Sequence, residues 1–250
     1  MRQKPLISIV LTYYKKREYV NRTLQSILLQ NYKNFELIFV YDDSDLKDYK
    51  YIKKILIKFK KKKVLFNKKN LGVSQSRNRA LKICKGKYIA FIDADDIWIK
   101  SKLSRQLKIM QKNFLNFSFT SYNVINNQNK LINKRIVNKD PSYASLQKKN
   151  IIGLSTVMFN RKLLKDMVFP NLKTQEDFAL WLNLLKKGHK LSHIKAPLSS
   201  WRKTDNSLSS NSLQKVIDAF KLYYTYQNKN LILSVYSVIV LGYNKIFKKV

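Results

Sequence analysis

Asp93-Ala94-Asp95-Asp96 follows directly on the apolar stretch Lys87-Tyr88-Ile89-Ala90-Phe91-Ile92. Three carboxylates within four positions repel one another and would be costly in a packed core, so at the end of a buried-type strand they suit a bound cation or a ribose. A solvated turn would account for this cluster taken alone. A second group, Asp42-Asp43-Ser44-Asp45, follows the apolar run Phe35 to Tyr41. A third pair, Glu176-Asp177, stands after Thr174 at the head of an apolar helix pattern, where Thr174 serves as a plausible N-cap and both acids as first-turn partners of the helix dipole. The chemistry open to such groups is cation binding, hydrogen bonding to a nucleoside and proton abstraction.

Hydrophobic periodicity supplies the elements that position them. Leu6 to Thr12 reads as a buried strand, Glu18 to Gln30 as a helix with Val20, Leu24, Ile27 and Leu28 on one face, and Phe35 to Tyr41 as a second strand. A basic helix over Tyr49 to Lys61, a strand at Val64 to Phe66, a helix from Val73 to Cys84 and the strand ending at Asp93 complete the N-terminal half. Repeated β-α units imply an α/β, Rossmann-like fold with a mostly parallel sheet flanked by helices. In such sheets ligands bind beyond the carboxyl ends of the strands. Thr12-Tyr13-Tyr14 and the two acidic clusters should therefore share one rim. The five glycines, Gly72, Gly86, Gly153, Gly188 and Gly242, are scattered, so no glycine-rich loop cradles phosphate. A Mg²⁺ or Mn²⁺ ion with oxygen ligands, aided by basic side chains, is the expected alternative.

The chain has 250 residues, 45% of them hydrophobic, enough for one large domain with an appendage. The single cysteine, Cys84, excludes an internal disulfide, and His189 and His193 could at most join a mixed metal site. The opening residues lack the pattern of a secretory signal, so the expected location is cytoplasmic. The apolar run Leu231 to Tyr243 is short for a spanning helix. With 50 Lys+Arg against 15 Asp+Glu, the formal charge of +35 predicts attraction to polyanions: nucleic acid, anionic lipid or phosphate-bearing substrates. Part of the excess is compositional, since Lys, Asn and Ile are abundant throughout.

The series Ser8-Ile9-Val10-Leu11-Thr12-Tyr13-Tyr14, Thr23 to Gln30, Phe35 to Ser44, Asn70-Leu71-Gly72-Val73-Ser74-Gln75-Ser76-Arg77-Asn78-Arg79-Ala80 and Asp93 to Asp96 resembles, in order, the family 2 glycosyltransferases of GT-A fold. The resemblance spans about residues 5 to 205. It implies a domain over 1–210, with a nucleotide-sugar half at 1–100 and an acceptor half at 101–210; residues 211–250 fall outside the resemblance and read from their own pattern as a C-terminal helical extension. It further implies Thr12 and Tyr14 lining the nucleotide pocket, Asp42 or Asp43 on the base, and Asp93 on the ribose or the metal's hydration shell. Asp95 would be the metal ligand, supported by Asp96, while Arg77 and Arg202 would face the diphosphate. Arg77 reads equally well as a helix cation on a solvated face. Asp177 matches the family's catalytic base, with Glu176 its neighbour. Trp201-Arg202-Lys203-Thr204 and Asn206 to Ser209 resemble the loop after the site, without the family's histidine. Trp98 and Trp181 read as packing residues.

The implied reaction is metal-dependent, inverting transfer from a nucleotide-diphosphate donor, UDP-linked by expectation, to a saccharide or lipid-linked saccharide hydroxyl. Residues 211–250 could cover the sheet, form a dimer contact or lie on an anionic membrane, and peripheral contact at the inner face of such a membrane is the favoured expectation. No specific nucleic-acid partner is expected, and the sequence does not give an oligomeric state. Two alternatives stand beside this reading. A sugar nucleotidylyltransferase would need a glycine-rich loop where Tyr13-Tyr14-Lys15-Lys16 stands, and a non-enzymatic polyanion-binding protein would have no use for acidic strand ends.

Overall fold

A computed structural model describes residues 4–204 and 212–247. The N-terminal half runs β1 (Ile7–Tyr13), α1 (Arg17–Leu28), β2 (Phe35–Tyr41), α2 (Lys47–Leu56), β3 (Lys62–Phe66), α3 (Val73–Ile83) and β4 (Tyr88–Asp93). There follow β5 (Ile97–Trp98), α4 (Lys102–Lys112), β6 (Phe117–Ile125), β7 (Leu131–Arg135), α5 (Tyr143–Lys148), β8 (Met158–Asn160), α6 (Glu176–Lys186), β9 (Ser192–Arg202), α7 (Ser212–Lys221) and α8 (Leu231–Phe247). A 3₁₀ turn at Leu154–Thr156 precedes β8, and a π-helical turn at Leu222–Tyr226 continues α7. The helix expected over Tyr49 to Lys61 ends at Leu56 instead, because the lysine-rich segment beyond it joins the sheet as β3.

The strands form one curled sheet in the order β3-β2-β1-β4-β8-β6-β9-β5, with β7 paired to β6. The first four in that order are parallel, as the β-α repeat requires, and β8 then meets both β4 and β6 antiparallel. Strand order reverses at β1, which lies between β2 and β4. That reversal opens the crevice at the carboxyl ends, with Thr12 in register with Asp93 on one side and Val40 on the other.

Both faces of the parallel half are covered, which explains why β1, β2 and β4 read as continuous apolar runs rather than alternating ones. Ile9, Leu11, Phe39 and Ile92 pack under α1, α2 and α4, whereas Val10, Ile38, Ile89 and Phe91 pack with α3 and α6. Trp98 and Trp181 are both buried, as the packing assignment anticipates. Ser8 is the polar exception in β1: its hydroxyl donates to Glu36 Oε1 (2.6 Å) and accepts from Gly86 N (2.8 Å). A Cβ at Gly86 would stand 2.4 Å from Ser8 N, so only glycine permits this approach. After α6 the chain folds back on the same core. Leu222 and Tyr223 are fully buried beside α6 residues, and the Tyr223 hydroxyl donates to Gln147 O (2.5 Å).

Candidate active site

The acidic turn after β4 is pinned from several sides. Asp96 N bonds to Asp93 O (3.1 Å), Asp93 N donates to Ser155 Oγ (3.0 Å), and the Thr23 hydroxyl sits 2.9 Å from Ala94 O and 2.8 Å from Asp96 O. Trp98 Nε1 donates to Ser155 O (2.8 Å), which locks the serine that holds the turn. These contacts sort the three carboxylates. Asp96 turns inward, is buried, and accepts from Arg202 N (2.9 Å); burial first, then Asp95 and Asp93, push its pKa well above the usual range. Asp93 and Asp95 remain half-buried at the rim. Asp95 Oδ2 lies 2.9 Å from Lys16 Nζ, and burial raises its pKa against the opposing pull of that lysine.

Arg77 joins this turn to the start of α6. From α3 its guanidinium donates through Nη2 to Asp93 Oδ1 (2.7 Å) and through Nη1 to Glu176 Oε1 (2.5 Å), and it lies 5.3 Å from the Phe169 ring centre. The reading of Arg77 as a cation on a solvated face is therefore corrected: α3 turns this residue into the core. Burial works against its charge, but Asp93 and Glu176 outweigh that and keep it protonated.

Beside this pair, Asp177 Oδ1 accepts from Phe178 N (2.6 Å). Burial, then the neighbouring Glu176 charge, push the Asp177 carboxyl up to about 7, with Arg77 restraining the rise. A carboxyl poised there takes up and releases a proton near neutrality. Thr174 does not cap α6 as expected. Gln175 occupies that position at φ 61 with no side-chain cap, and Thr174 instead gives its N–H (2.8 Å) and hydroxyl (2.9 Å) to Asp218 Oδ2 on α7. The helix entry is thus fixed by a buried acid from much later in the chain.

At the ends of β1 and β2 the expected residues divide. Thr12 and Tyr14 are half-buried at the rim. Tyr13 alternates inward, and its hydroxyl donates to Asp48 Oδ2 (2.6 Å). Asp42 is buried, and its Oδ1 accepts from Asn67 Nδ2 (2.6 Å) and Leu71 N (2.8 Å), so it organises the loop before α3. Asp43 Oδ1 accepts from Asp45 N (3.1 Å). Arg202 is buried with its guanidinium given to two main-chain oxygens and one side-chain oxygen: Nε to Asp95 O (2.8 Å), Nη1 to Asn126 O (2.7 Å) and Nη2 to Asn129 Oδ1 (2.6 Å). A phosphate would have to break those bonds to reach it. His189 pairs with Asp166 (3.0 Å) and His193 with Asp140 (2.7 Å), so neither is drawn to this rim. Asn206 to Ser209 lie outside the described residues.

Among the described residues, no group of three or more His, Cys, Asp and Glu side chains could hold a metal by itself. Two carboxylates at the rim have the donor chemistry of a smaller set. Asp93 and Asp95 are hard oxygen donors, and Mg²⁺ or Mn²⁺ commonly takes one or two carboxylates and fills its octahedron with phosphate oxygens and water. The Lys16 ammonium at Asp95 already places a cation there.

Three residues of this arrangement escaped the sequence reading. Lys16 had a visible signal, a basic pair at the end of β1. Ser155, in the 3₁₀ turn, and Tyr122, whose pKa is raised by burial and, in smaller part, by Asp96 and Asp177, lie in segments with no motif to flag them.

The sequence model of glycosyl transferase family 2 matches residues 8–169. A putative teichuronic acid biosynthesis glycosyltransferase of Bacillus subtilis, TuaG, is 35% identical over 215 residues, covering 83% of each chain. The Escherichia coli UDP-Glc:alpha-D-GlcNAc-diphosphoundecaprenol beta-1,3-glucosyltransferase WfgD is 35% identical over 213 residues, covering 84% of this chain and 82% of that protein. Among solved structures, S. aureus TarS 1–349 in complex with UDP-GlcNAc superposes with a TM-score of 0.73 at 17% identity, covering 96% of this chain and 73% of that one. The mannosyltransferase PcManGT from Pyrobaculum calidifontis, with GDP-Man and Mn²⁺, gives 0.68 at 12% identity, covering 98% and 71%. These two likenesses speak to the GT-A fold.

Proposed function

The chain belongs to glycosyl transferase family 2, and on that premise we propose that it moves a sugar from a nucleoside-diphosphate donor to a hydroxyl of a lipid-linked saccharide, with inversion and Asp177 as the base. A family 2 glycosyltransferase is an enzyme with a donor and an acceptor, which leaves no room for the nucleotidylyltransferase or polyanion-binder alternatives. The observation that carries the finer reading is Arg77. One buried guanidinium ties Asp93, at the nucleotide rim, to Glu176, next to the carboxyl poised near 7. Donor and acceptor machinery thereby share one rigid link.

That geometry supports the roles proposed for Asp177, Glu176 and Arg77, and the resemblance to the family supports the others. Asp177 takes the proton of the acceptor hydroxyl, a step to which a positioned carboxylate typically contributes ~10² to 10⁴-fold. Glu176 and Arg77 are its positioning partners. Thr12 and Tyr14 line the nucleoside pocket, Asp43 faces the base, and Asp42 shapes the loop that borders it. Asp95, with Asp93, is the ligand set for Mg²⁺ or Mn²⁺, and Asp96 is the strut beneath them. When bound, the ion supplies Lewis-acid neutralisation of charge on the departing nucleoside diphosphate. Arg202 holds the turn through Asp95 O and the Asp96 carboxylate. A base on one side of the anomeric carbon and a leaving group on the other favour single displacement, hence inversion.

A lipid-linked acceptor is suggested by WfgD, whose name specifies a diphosphoundecaprenol substrate, and a UDP-sugar by that name and by the TarS complex. Cytoplasmic placement at the inner membrane face agrees with that acceptor class. The test is a donor screen with Mg²⁺ or Mn²⁺ on a diphospholipid-linked saccharide. Wild type should transfer from at least one UDP-sugar, and Asp177→Asn and Asp95→Ala should each lose about two orders of magnitude or more. Full transfer by both variants would sink the site assignment.

A further inference from the structure

We infer that the outer face of α7 and α8 is a docking surface for an anionic lipid bilayer, which deepens the lipid-linked acceptor reading and rests on it. The carrying observation is that α8 is inside out. Its polar side chains face the protein: Ser234, Ser237 and Asn244 are buried, with Asn244 Nδ2 donating to Lys148 O (3.1 Å) and Ser237 Oγ accepting from Lys229 Nζ (2.8 Å). Val238 and Leu241 pack against the core, and most of its other apolar side chains face away. Ile232, Tyr236, Ile239, Tyr243 and Phe247 recur at helical spacing, each more than half exposed. A groove of about 580 Å³ between the two helices continues this surface, lined by Val216, Phe220, Tyr224, Val235 and Ile239.

An apolar face that a chain turns outward, at the expense of burying serines, is matched to a medium less polar than water. The 17 described residues of α8 span about 26 Å against the ~30 Å of hydrocarbon, and among the described residues no helix is long and apolar enough to cross a membrane. The helix lies in the interface instead, with exposed tyrosines suited to headgroup depth.

Charge selects the occupant. From Ser212 onward the sequence carries Lys215, Lys221, Lys245, Lys248 and Lys249, besides Lys229, which is held inward at Ser237, against one acid, Asp218, which is buried against Thr174. A second copy of the chain would bring +35 against +35, whereas anionic headgroups are attracted. The same α7 that carries Val216 and Ile217 outward holds the entry of α6 through Asp218, so the face that meets the lipid is one helix away from the proposed base.

The experiment is co-sedimentation of the full chain with vesicles of phosphatidylglycerol and phosphatidylcholine, and with phosphatidylcholine alone, for wild type and an Ile232→Asp, Ile239→Asp double variant. Wild type should bind the anionic vesicles in preference. The variant should bind at least about tenfold more weakly, with unchanged circular dichroism, melting temperature and transfer to a water-soluble acceptor analogue. That last readout separates failure of the docking surface from failure of the enzymatic reading. Wild type left in the supernatant, equal binding to neutral vesicles, a variant that binds as wild type, or a dimer in light scattering that the variant dissociates would each overturn the inference.

Discussion

Asp177→Asn tests the proposed base through stability as well as rate. The carboxyl moves from its ordinary 3.8 to about 7 in the fold, chiefly through burial, and a shift of about three units corresponds to about 4 kcal/mol. Asp177 is only half-buried at its outer edge, so solvent screening reduces this to about 2–3 kcal/mol. The sign follows from the direction. A group whose folded-state pKa is raised favours the fold when protonated; that contribution is complete below about pH 4 and is lost as pH climbs through about 7. Asparagine keeps the acceptor for Phe178 N and carries no charge. The variant should therefore unfold above wild type at pH 8, by about 5–10 °C for a domain of this size, with the gap closing towards pH 4. Matched thermal melts from pH 4 to 8.5 read this directly. In the same enzyme, wild-type kcat/KM should fall about tenfold per pH unit below about 7 and level off above it. A gap that does not change with pH, or a rate that stays flat down to pH 5, would refute the assignment of Asp177 as the base.

Replacing Arg77 by Met strips the cation from Asp93 and Glu176 and should destabilise the fold by about 3–5 kcal/mol at neutral pH in urea titrations. The loss should shrink in acid, where Glu176, whose pKa burial already raises, takes up a proton. Lys16→Met removes the ammonium from Asp95, so Mn²⁺ binding without donor, followed by electron paramagnetic resonance, should tighten about two- to fivefold; unchanged affinity would separate Lys16 from the ion's site. Gly86→Ala drives a methyl against Ser8 N and should cost about 1–3 kcal/mol or more in the same urea titrations.

The parallel half of the fold was legible because strands buried on both faces and helices buried on one leave different apolar periods, and β2 and the end of β4 fall where those periods place them. The antiparallel partner β8 was not, since three residues, Met158–Asn160, carry no period. At the site, the acidic turn and the Glu176-Asp177 pair stood out by composition. Thr174 misled because a threonine before two acids satisfies the local rule for a helix cap, while its actual partner, Asp218, is 44 positions away in sequence.

By itself the sequence determined the element types of the parallel half, the order of the motifs and hence the family, all of which depend on neighbouring residues. Only the tertiary structure decided what each charge does. It turned Asp96 and Arg202 inward as struts, left Asp93 and Asp95 at the rim, and buried Arg77 between two acids. The reason is physical: the free energy of a carboxylate or guanidinium is set by its desolvation and its partners, and those come from α3, α6, β9 and α7, which only folding brings to one place.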